Sequence, residues 1–443
     1  MQVEFYFDFS CPYAYIASTR IEALAAEHNA ELIWRPMLLG GVFRGTGLAD
    51  SPMSQMGPAK ARHNARDIHR WAAHFDLSLS MPSGHPMRTV RALRALLTLP
   101  IQDWPRFIHA IYAAYWQQGE NIAEEATVRA CLDRAGVSGL AAERALTGND
   151  EPAIKDELRR RTDEAVSRGV FGAPTMFVQR DGLDQPVMFW GQDRLHMVSA
   201  VLAGWTPGAG RPGPAWPTVS AAGESPVGGS AQTRPAIEFW YDFSSPFAYL
   251  GATQIERVSA AIGARVAWRP MLLGAVFKQI GMANVPMNTM VPAKRAYIAN
   301  EFDYWPSYLG VPFKFASRFP QKTVTALRLA LLAGERIGPL SLDLFRVIWA
   351  EDGNLEDPAV LGAILARHGF DAEAMLARTR EPEVKQMLID NTAEAVAAGV
   401  FGAPTMIIEG AGHAAADDGS GDLLIWGQDR LGLVAATLSG DRG

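Results

Sequence analysis

Cys11 and Ser245 each stand directly before a proline, in FDFSCPYAY and YDFSSPFAY, where an alternating aromatic run gives way to helical apolar spacing. A side chain at such a junction faces unpaired backbone N–H groups and the positive end of a helix dipole. For a serine the plain role is helix capping, worth about 1 kcal/mol. For a cysteine the same field lowers the thiol pKa and favours a reactive thiolate. A hydroxyl there can also donate to the sulfur of a bound thiol. Two further motifs occur near the end of each half. Gly-Ala-Pro-Thr contains Ala173 and Pro174, and again Ala403 and Pro404; an ordinary turn proline is the plain reading. Gly-Gln-Asp-Arg contains Gln192 and Asp193, and again Gln428 and Asp429. The plain role of that aspartate is an N-cap. Its chemical role is a clamp for an α-amino-acid end, with the helix N-terminus on the carboxylate and the Asp on the ammonium. Arg194 and Arg430, next in the motif, have structural ion pairs as their alternative.

These motifs recur because the chain is written twice. Residues 3–49 and 237–283 align without a gap, and 24 of the 47 positions are identical. GVFGAPTM appears at 169–176 and 399–406, and WGQDRL at 190–195 and 426–431. The second copy has a longer loop, GAGHAAADDGSGD, between those two motifs. Each repeat is a whole domain, not a solenoid unit. Within a copy, Val3–Phe9 alternates as a strand and Pro12–His28 follows with helical spacing. Glu31–Pro36 is a second strand. Residues 58–168 are mostly helical, with breaks at Pro82, Pro86, Pro100 and Gly136. Thr175–Val178 and Pro186–Trp190 are short strands, and Gly191–Leu202 ends as an amphipathic helix. Strand, helix, strand, helical insertion, hairpin, helix is an α/β order: a thioredoxin-like domain with an inserted α-helical domain, present in tandem. In that fold the proline of Gly-Ala-Pro-Thr is expected to be cis and to lie against the first helix's N-terminus. The backbone of Ala173 or Ala403 is then an open edge for a peptide-like ligand.

The expected boundaries are 1–205, a linker over 206–235, and 236–443. The linker is rich in Pro, Gly and Ser and is read as flexible, able to span about 30 Å, which suits a covalent pseudo-dimer of the copies. Composition narrows the function. The chain has 443 residues, too many for one core, with 48% apolar and 20% charged residues. Lys plus Arg is 41 and Asp plus Glu is 47, so no broad basic surface is expected for nucleic acid or anionic membrane. No window reads as a membrane span. MQVEFYFDFS reads as a strand and not as a signal peptide, so the expectation is a cytoplasmic protein. Cys11 and Cys131 form no CxxC and are not expected to form a disulfide.

The ordered set [FY]DFS[SC]P[FY]AY, WRPMLLG, PAK, GVFGAPT and WGQDRL resembles the DsbA-like superfamily. Within it, the set is most similar to the 2-hydroxychromene-2-carboxylate isomerase and kappa-class glutathione transferase branch. The resemblance covers nearly all of both copies and implies glutathione as cofactor and a small-molecule substrate. It implies that Ser245 faces the glutathione thiol, a place where Cys11 departs from the pattern. It implies that Ala173 and Ala403, before Pro174 and Pro404, pair with the glutathione backbone. Gln192 with Asp193, and Gln428 with Asp429, would hold the γ-glutamyl end. An Asn and a downstream Lys would hold the glycine end: Lys294 matches, and Asn284 matches with one extra residue allowed. Copy one keeps Lys60 but has Asp50 in place of Asn284, which would repel a glycyl carboxylate, and His63 in place of Tyr297. Copy two therefore reads as the better glutathione site.

The implied reaction is isomerisation about a conjugated C=C bond by transient thiol addition, rotation and elimination. Arg35 or Arg269 is a further candidate for oxyanion or substrate contact, with a core-edge ion pair as its alternative. Other readings stay open: conjugation or peroxide reduction of the kappa type, and monothiol–disulfide chemistry through Cys11, since Ala14 stands where a resolving cysteine would be. His85-Pro86 and Phe319-Pro320 precede a helix and either line the substrate mouth or close the insertion. Cys131, Trp116 and Trp349 read as core, and His63, His69 and His74 lack metal-ligand spacing.

Overall fold

The computed structural model describes residues 1–49, 52–216, 235–408 and 422–439. Most of the expected linker, most of the long late loop of copy two, and Asp50 lie outside them. The described residues fall into two compact units. Unit 1 is bounded as Met1–Gln55, Ile68–Ala209 and Met290–Asn300; unit 2 as Met56–Asp67, Gly210–Thr289 and Glu301–Gly443. Each unit includes a short stretch from the other half of the sequence.

In unit 1 the sheet order is β2-β1-β3-β4, from β1 (Gln2–Phe7), β2 (Glu31–Pro36), β3 (Thr175–Gln179) and β4 (Val187–Trp190). β1 runs parallel to β2 and antiparallel to β3, and β3 pairs antiparallel with β4. The parallel pair needs a crossover, which α1 (Pro12–Glu27) supplies. Pro12 opens that helix where its missing N–H costs nothing. Between β2 and β3 lies the helical insertion: α2 (Leu39–Thr46), α3 (Pro58–His74), which belongs to unit 1 only from Ile68 on, α4 (Val90–Thr98), α5 (Trp104–Trp116), α6 (Glu125–Arg134), α7 (Gly139–Thr147) and α8 (Pro152–Ser167). α9 (Leu195–Leu202) closes the unit. The buried odd face of β1 sets Phe5 and Phe7 edge-on to Trp34, and Phe7 also meets Phe9 and Tyr112 of the insertion. One aromatic cluster thus joins sheet to insertion.

Unit 2 repeats the plan with order β6-β5-β7-β8. Its strands are β5 (Ala236–Tyr241), β6 (Arg265–Pro270), β7 (Thr405–Ile408) and β8 (Leu423–Trp426). Its helices are α10 (Pro246–Ala261), α11 (Leu273–Gln279), α12 (Pro292–Leu309), which belongs to unit 2 only from Glu301 on, α13 (Val324–Leu332), α14 (Ile337–Trp349), α15 (Pro358–Arg367), α16 (Ala372–Arg378), α17 (Pro382–Ala397) and α18 (Leu431–Ser439). The start of the expected linker is packed: Gly213 N–H donates to Tyr308 O at 2.9 Å, and Trp216 lies edge-on to Trp305 with centroids 4.9 Å apart. A Cβ on Gly213 would meet the Tyr308 ring at 2.3 Å, so only glycine fits there. Among the described residues, no helix is long and apolar enough to cross a membrane.

Candidate active site

Ser245 caps α10. Its Oγ accepts from Ala248 N–H at 3.1 Å and donates to the Ala403 carbonyl at 3.0 Å. The side chain is buried, yet both its donor and acceptor roles are satisfied. Cys11 takes the same place on α1, and its Sγ donates to Ala173 O at 3.0 Å, but it makes no capping hydrogen bond. The expected lowering of its pKa is reversed. Burial pushes the thiol up to about 12; the Ala14 and Tyr13 N–H groups favour the thiolate but do not offset desolvation, and Asp8 adds to the rise. The helix-dipole argument fails because a dipole end stabilises a thiolate only where desolvation does not cost more.

A buried carboxylate underlies each junction. Asp8 accepts from Leu39 N–H at 2.7 Å and Ser10 N–H at 3.1 Å. Asp242 accepts from Leu273 N–H at 2.8 Å, Ser244 N–H at 2.9 Å and Thr323 Oγ at 2.7 Å. Each is about 1% exposed. One side chain therefore ties the strand-to-helix turn to the first helix of the insertion and, through Thr89 in unit 1 and Thr323 in unit 2, to the start of α4 or α13. Burial raises both carboxyl pKa values, against the hydrogen bonds that lower them. Neither aspartate is among the candidates read from the sequence. The available signal was an identical Asp three residues before Cys11 and Ser245.

Ala173-Pro174 and Ala403-Pro404 are cis, as expected, and so are His85-Pro86 and Phe319-Pro320. The carbonyls of Ala173 and Ala403 take the Cys11 and Ser245 donors; neither N–H has a hydrogen-bond partner among the described residues. The glycine before each alanine lies under a tryptophan indole. A Cβ on Gly172 would meet Trp190 Nε1 at 2.6 Å, and one on Gly402 would meet Trp426 Nε1 at 2.4 Å. Gln192 is 1% exposed; its Oε1 accepts from Arg20 at 3.3 Å, and its Nε2 has no partner. Asp193 and Asp429 fold back over Gly191 and Gly427, whose φ values of 106° and 108° suit glycine. Each also pairs with its neighbouring arginine, at 3.1 and 3.2 Å. Arg430 further forms a bidentate pair with Asp67, both contacts at 3.1 Å.

The lysines require a correction. Lys60, expected at the site of copy one, belongs to unit 2, with Nζ 5.3 Å from the centre of the Trp426 ring. Lys294, expected at the site of copy two, belongs to unit 1, 5.1 Å over Trp190. Burial lowers the Lys60 pKa. The reason is the placement of their helical stretches, which no linear repeat reveals. The same stretches bring His63, whose Nε2 accepts from Trp426 N–H at 3.1 Å, and Tyr297, whose hydroxyl accepts from Trp190 N–H at 3.1 Å. Both serve edge strands whose N–H groups need acceptors. Asn284 stays in unit 2, its Oδ1 2.9 Å from where a Cβ on Gly274 would stand, at the start of α11.

The DSBA-like thioredoxin domain family matches this chain twice, over residues 2–203 and 236–439. The chain belongs to that family. Among curated relatives, it is 29% identical to a 2-hydroxychromene-2-carboxylate isomerase of Sphingobium xenophagum over 200 residues, 45% of this chain and 97% of that protein. It is 28% identical to a protein of the same name from Pseudomonas putida, over 46% of this chain and 94% of the relative. It is 25% identical to glutathione S-transferase kappa 1 of Rattus norvegicus, over 49% of this chain and 96% of the relative. Each relative thus corresponds in length to one copy of a tandem DSBA-like protein.

The remaining candidates resolve locally. Arg35 pairs with Glu4, and Arg269 with Glu238 and Glu394, so both are ion pairs at the sheet edge. Cys131 is fully buried and its thiol donates to Ala110 O at 3.6 Å. In unit 1, Tyr115 Oη accepts from Met87 N–H at 2.9 Å and shares a hydrogen bond with His85 Nδ1 at 2.8 Å. Burial lowers the His85 pKa, which favours the neutral ring.

Proposed function

We propose that this protein is a glutathione-dependent isomerase of a conjugated small molecule, related to 2-hydroxychromene-2-carboxylate, with unit 2 as the working site. The observation that carries this reading is the Ser245 hydroxyl at the N-terminus of α10, beside an Ala403 N–H without a partner. When bound, glutathione supplies a thiolate whose addition to a C=C bond removes the barrier to rotation and whose elimination restores conjugation. The residues present fit such a ligand. The Ala403 N–H suits a peptide carbonyl. Ser245 can turn its O–H from the Ala403 carbonyl to a sulfur while Ala248 N–H still holds its oxygen. Gln428 and Asp429 suit a γ-glutamyl end. Lys60, in place of the expected Lys294, suits a carboxylate near the Trp426 face, with Asn284 beside α11. Unit 1 is the diverged copy: Ala173, Pro174, Gln192, Asp193 and Lys294 keep the frame, but Cys11 is a protonated, buried thiol. That state also argues against monothiol–disulfide chemistry there.

The test is calorimetric titration of glutathione into the intact chain and its Ser245→Ala and Cys11→Ala variants. One site per chain, weakened by Ser245→Ala alone, is the expected result. Absence of binding at millimolar glutathione overturns the reading. A kappa-type transferase would use the same site; it differs in leaving glutathione in the product, whereas an isomerase returns it unchanged.

A further inference from the structure

Helix α8 of unit 1 turns Lys155, Leu158, Arg159, Thr162 and Asp163 to one side, the i, i+3, i+4, i+7, i+8 face. Opposite lie Gly41, Arg44 and Gly45 of α2, with Val90 and Arg94 of α4. The glycines set the spacing. A Cβ on Gly41 would meet Thr162 Cγ2 at 2.8 Å, and one on Gly45 would meet Val166 at 3.0 Å. The three helices enclose a cleft of about 390 Å³, a volume that suits a small organic ligand. Leu38, Val90 and Leu158 make its apolar floor. Cys11, Ala173 and Gln192 do not line it.

The rim is cationic in a chain whose net charge is −6. Arg44, Arg94, Lys155 and Arg159 face a single lining carboxylate, Asp163. Their present partners are weak. Lys155 and Arg94 share Asp150, at 3.0 and 3.7 Å, and that carboxylate is 85% exposed. Arg159 pairs with Asp156 where both are mostly exposed. Arg44 makes no ion pair among the described residues, and Arg94 Nε is buried without a hydrogen-bond partner. Unit 2 keeps three of the four cations, as Lys278, Arg328 and Lys385, but fills and recharges the cleft: Ala275, Gln279, Ile389 and Ala393 stand where unit 1 has Gly41, Gly45, Arg159 and Asp163.

We propose that this cleft is a second binding site, confined to unit 1, for a small organic carboxylate with an apolar body. A carboxylate can take the guanidinium forks while its body covers the leucine and valine floor. Asp163 disfavours a compact dianion such as phosphate. The site does not depend on glutathione.

The experiment titrates 2-naphthoate, 2-naphthamide and inorganic phosphate into the intact protein without glutathione. The expected result is one naphthoate per chain, with the amide and phosphate much weaker, and no change in Ser245→Ala. Gly45→Gln, which installs the unit 2 residue, should abolish binding. Arg159→Ile, at an exposed position where folding is not at stake, should weaken it about fivefold. Naphthoate binding unchanged by Arg159→Ile and Gly45→Gln, equal binding of the amide, equal binding of phosphate, or no naphthoate binding at millimolar concentration each overturns the proposal. Glutathione titration of the same variants should be unaltered, which separates this site from that of unit 2.

Discussion

Unit 1 and unit 2 share one backbone plan and differ in what lines it. Cys11 and Ser245 both donate to the alanine carbonyl before the cis-proline at 3.0 Å. The oxygen also caps its helix; the sulfur does not, and burial drives its pKa to about 12. The insertion differs in the same sense. Phe302, Phe313, Phe315 and Phe319 of unit 2 form a chain of ring contacts ending on Trp349. At the equivalent places unit 1 has Ile68, Leu79, Met81 and His85, and it has Tyr115 where unit 2 has Ile348. A duplicated frame therefore keeps its backbone geometry while polarity moves: an aromatic wall in one unit, a His–Tyr hydrogen bond in the other.

The sharpest way to break this comparison is thiol reactivity. Cys11 in the folded chain should alkylate about 10²–10³-fold more slowly at pH 8 than in the urea-unfolded chain, read by peptide mapping. Reaction at the rate of an ordinary thiol would erase the contrast between the units. Next in size, Ser245→Ala should lower turnover in the proposed isomerisation about 10²-fold, the loss of one donor to a developing charge, while Cys11→Ala leaves it within about twofold. Equal losses would make both units active.

Asp242→Asn and Asp8→Asn should each cost about 1–3 kcal/mol in denaturant unfolding, because an amide NH₂ must then face a buried donor. Here the units should agree. The sign with pH is fixed by the raised carboxyl pKa values. The contribution of each carboxyl is fully present below its unfolded pKa near 3.8 and declines as pH rises through the higher folded value. The Asn variants should lack that decline. The smallest effects belong to the edge strands: Tyr297→Phe and His63→Phe should cost about 0.5–1.5 kcal/mol, each removing the acceptor of one tryptophan N–H. No change in either variant would mean water replaces the lost acceptor.

Much was legible without coordinates. Alternation, helical spacing, Pro12 and Pro246 at first turns, and the repeat itself located both sheets, the helical insertions and the three site motifs, because these signals depend on neighbours along the chain. Element ends moved by a residue or two, as at β1, which stops at Phe7. Other properties of the same residues were decided only by packing. Whether the Cys11 thiol ionises depends on its desolvation. Asp8 and Asp242 take Leu39 and Leu273, each 31 residues away, as partners beside their local serines. Lys60 and Lys294 lie in units opposite to those of their own repeats, and the cleft under Arg159 exists because two glycines let α2 approach α8. Local periodicity sets which element forms; the dielectric around a group, and which distant segment meets it, exist only after the chain has folded.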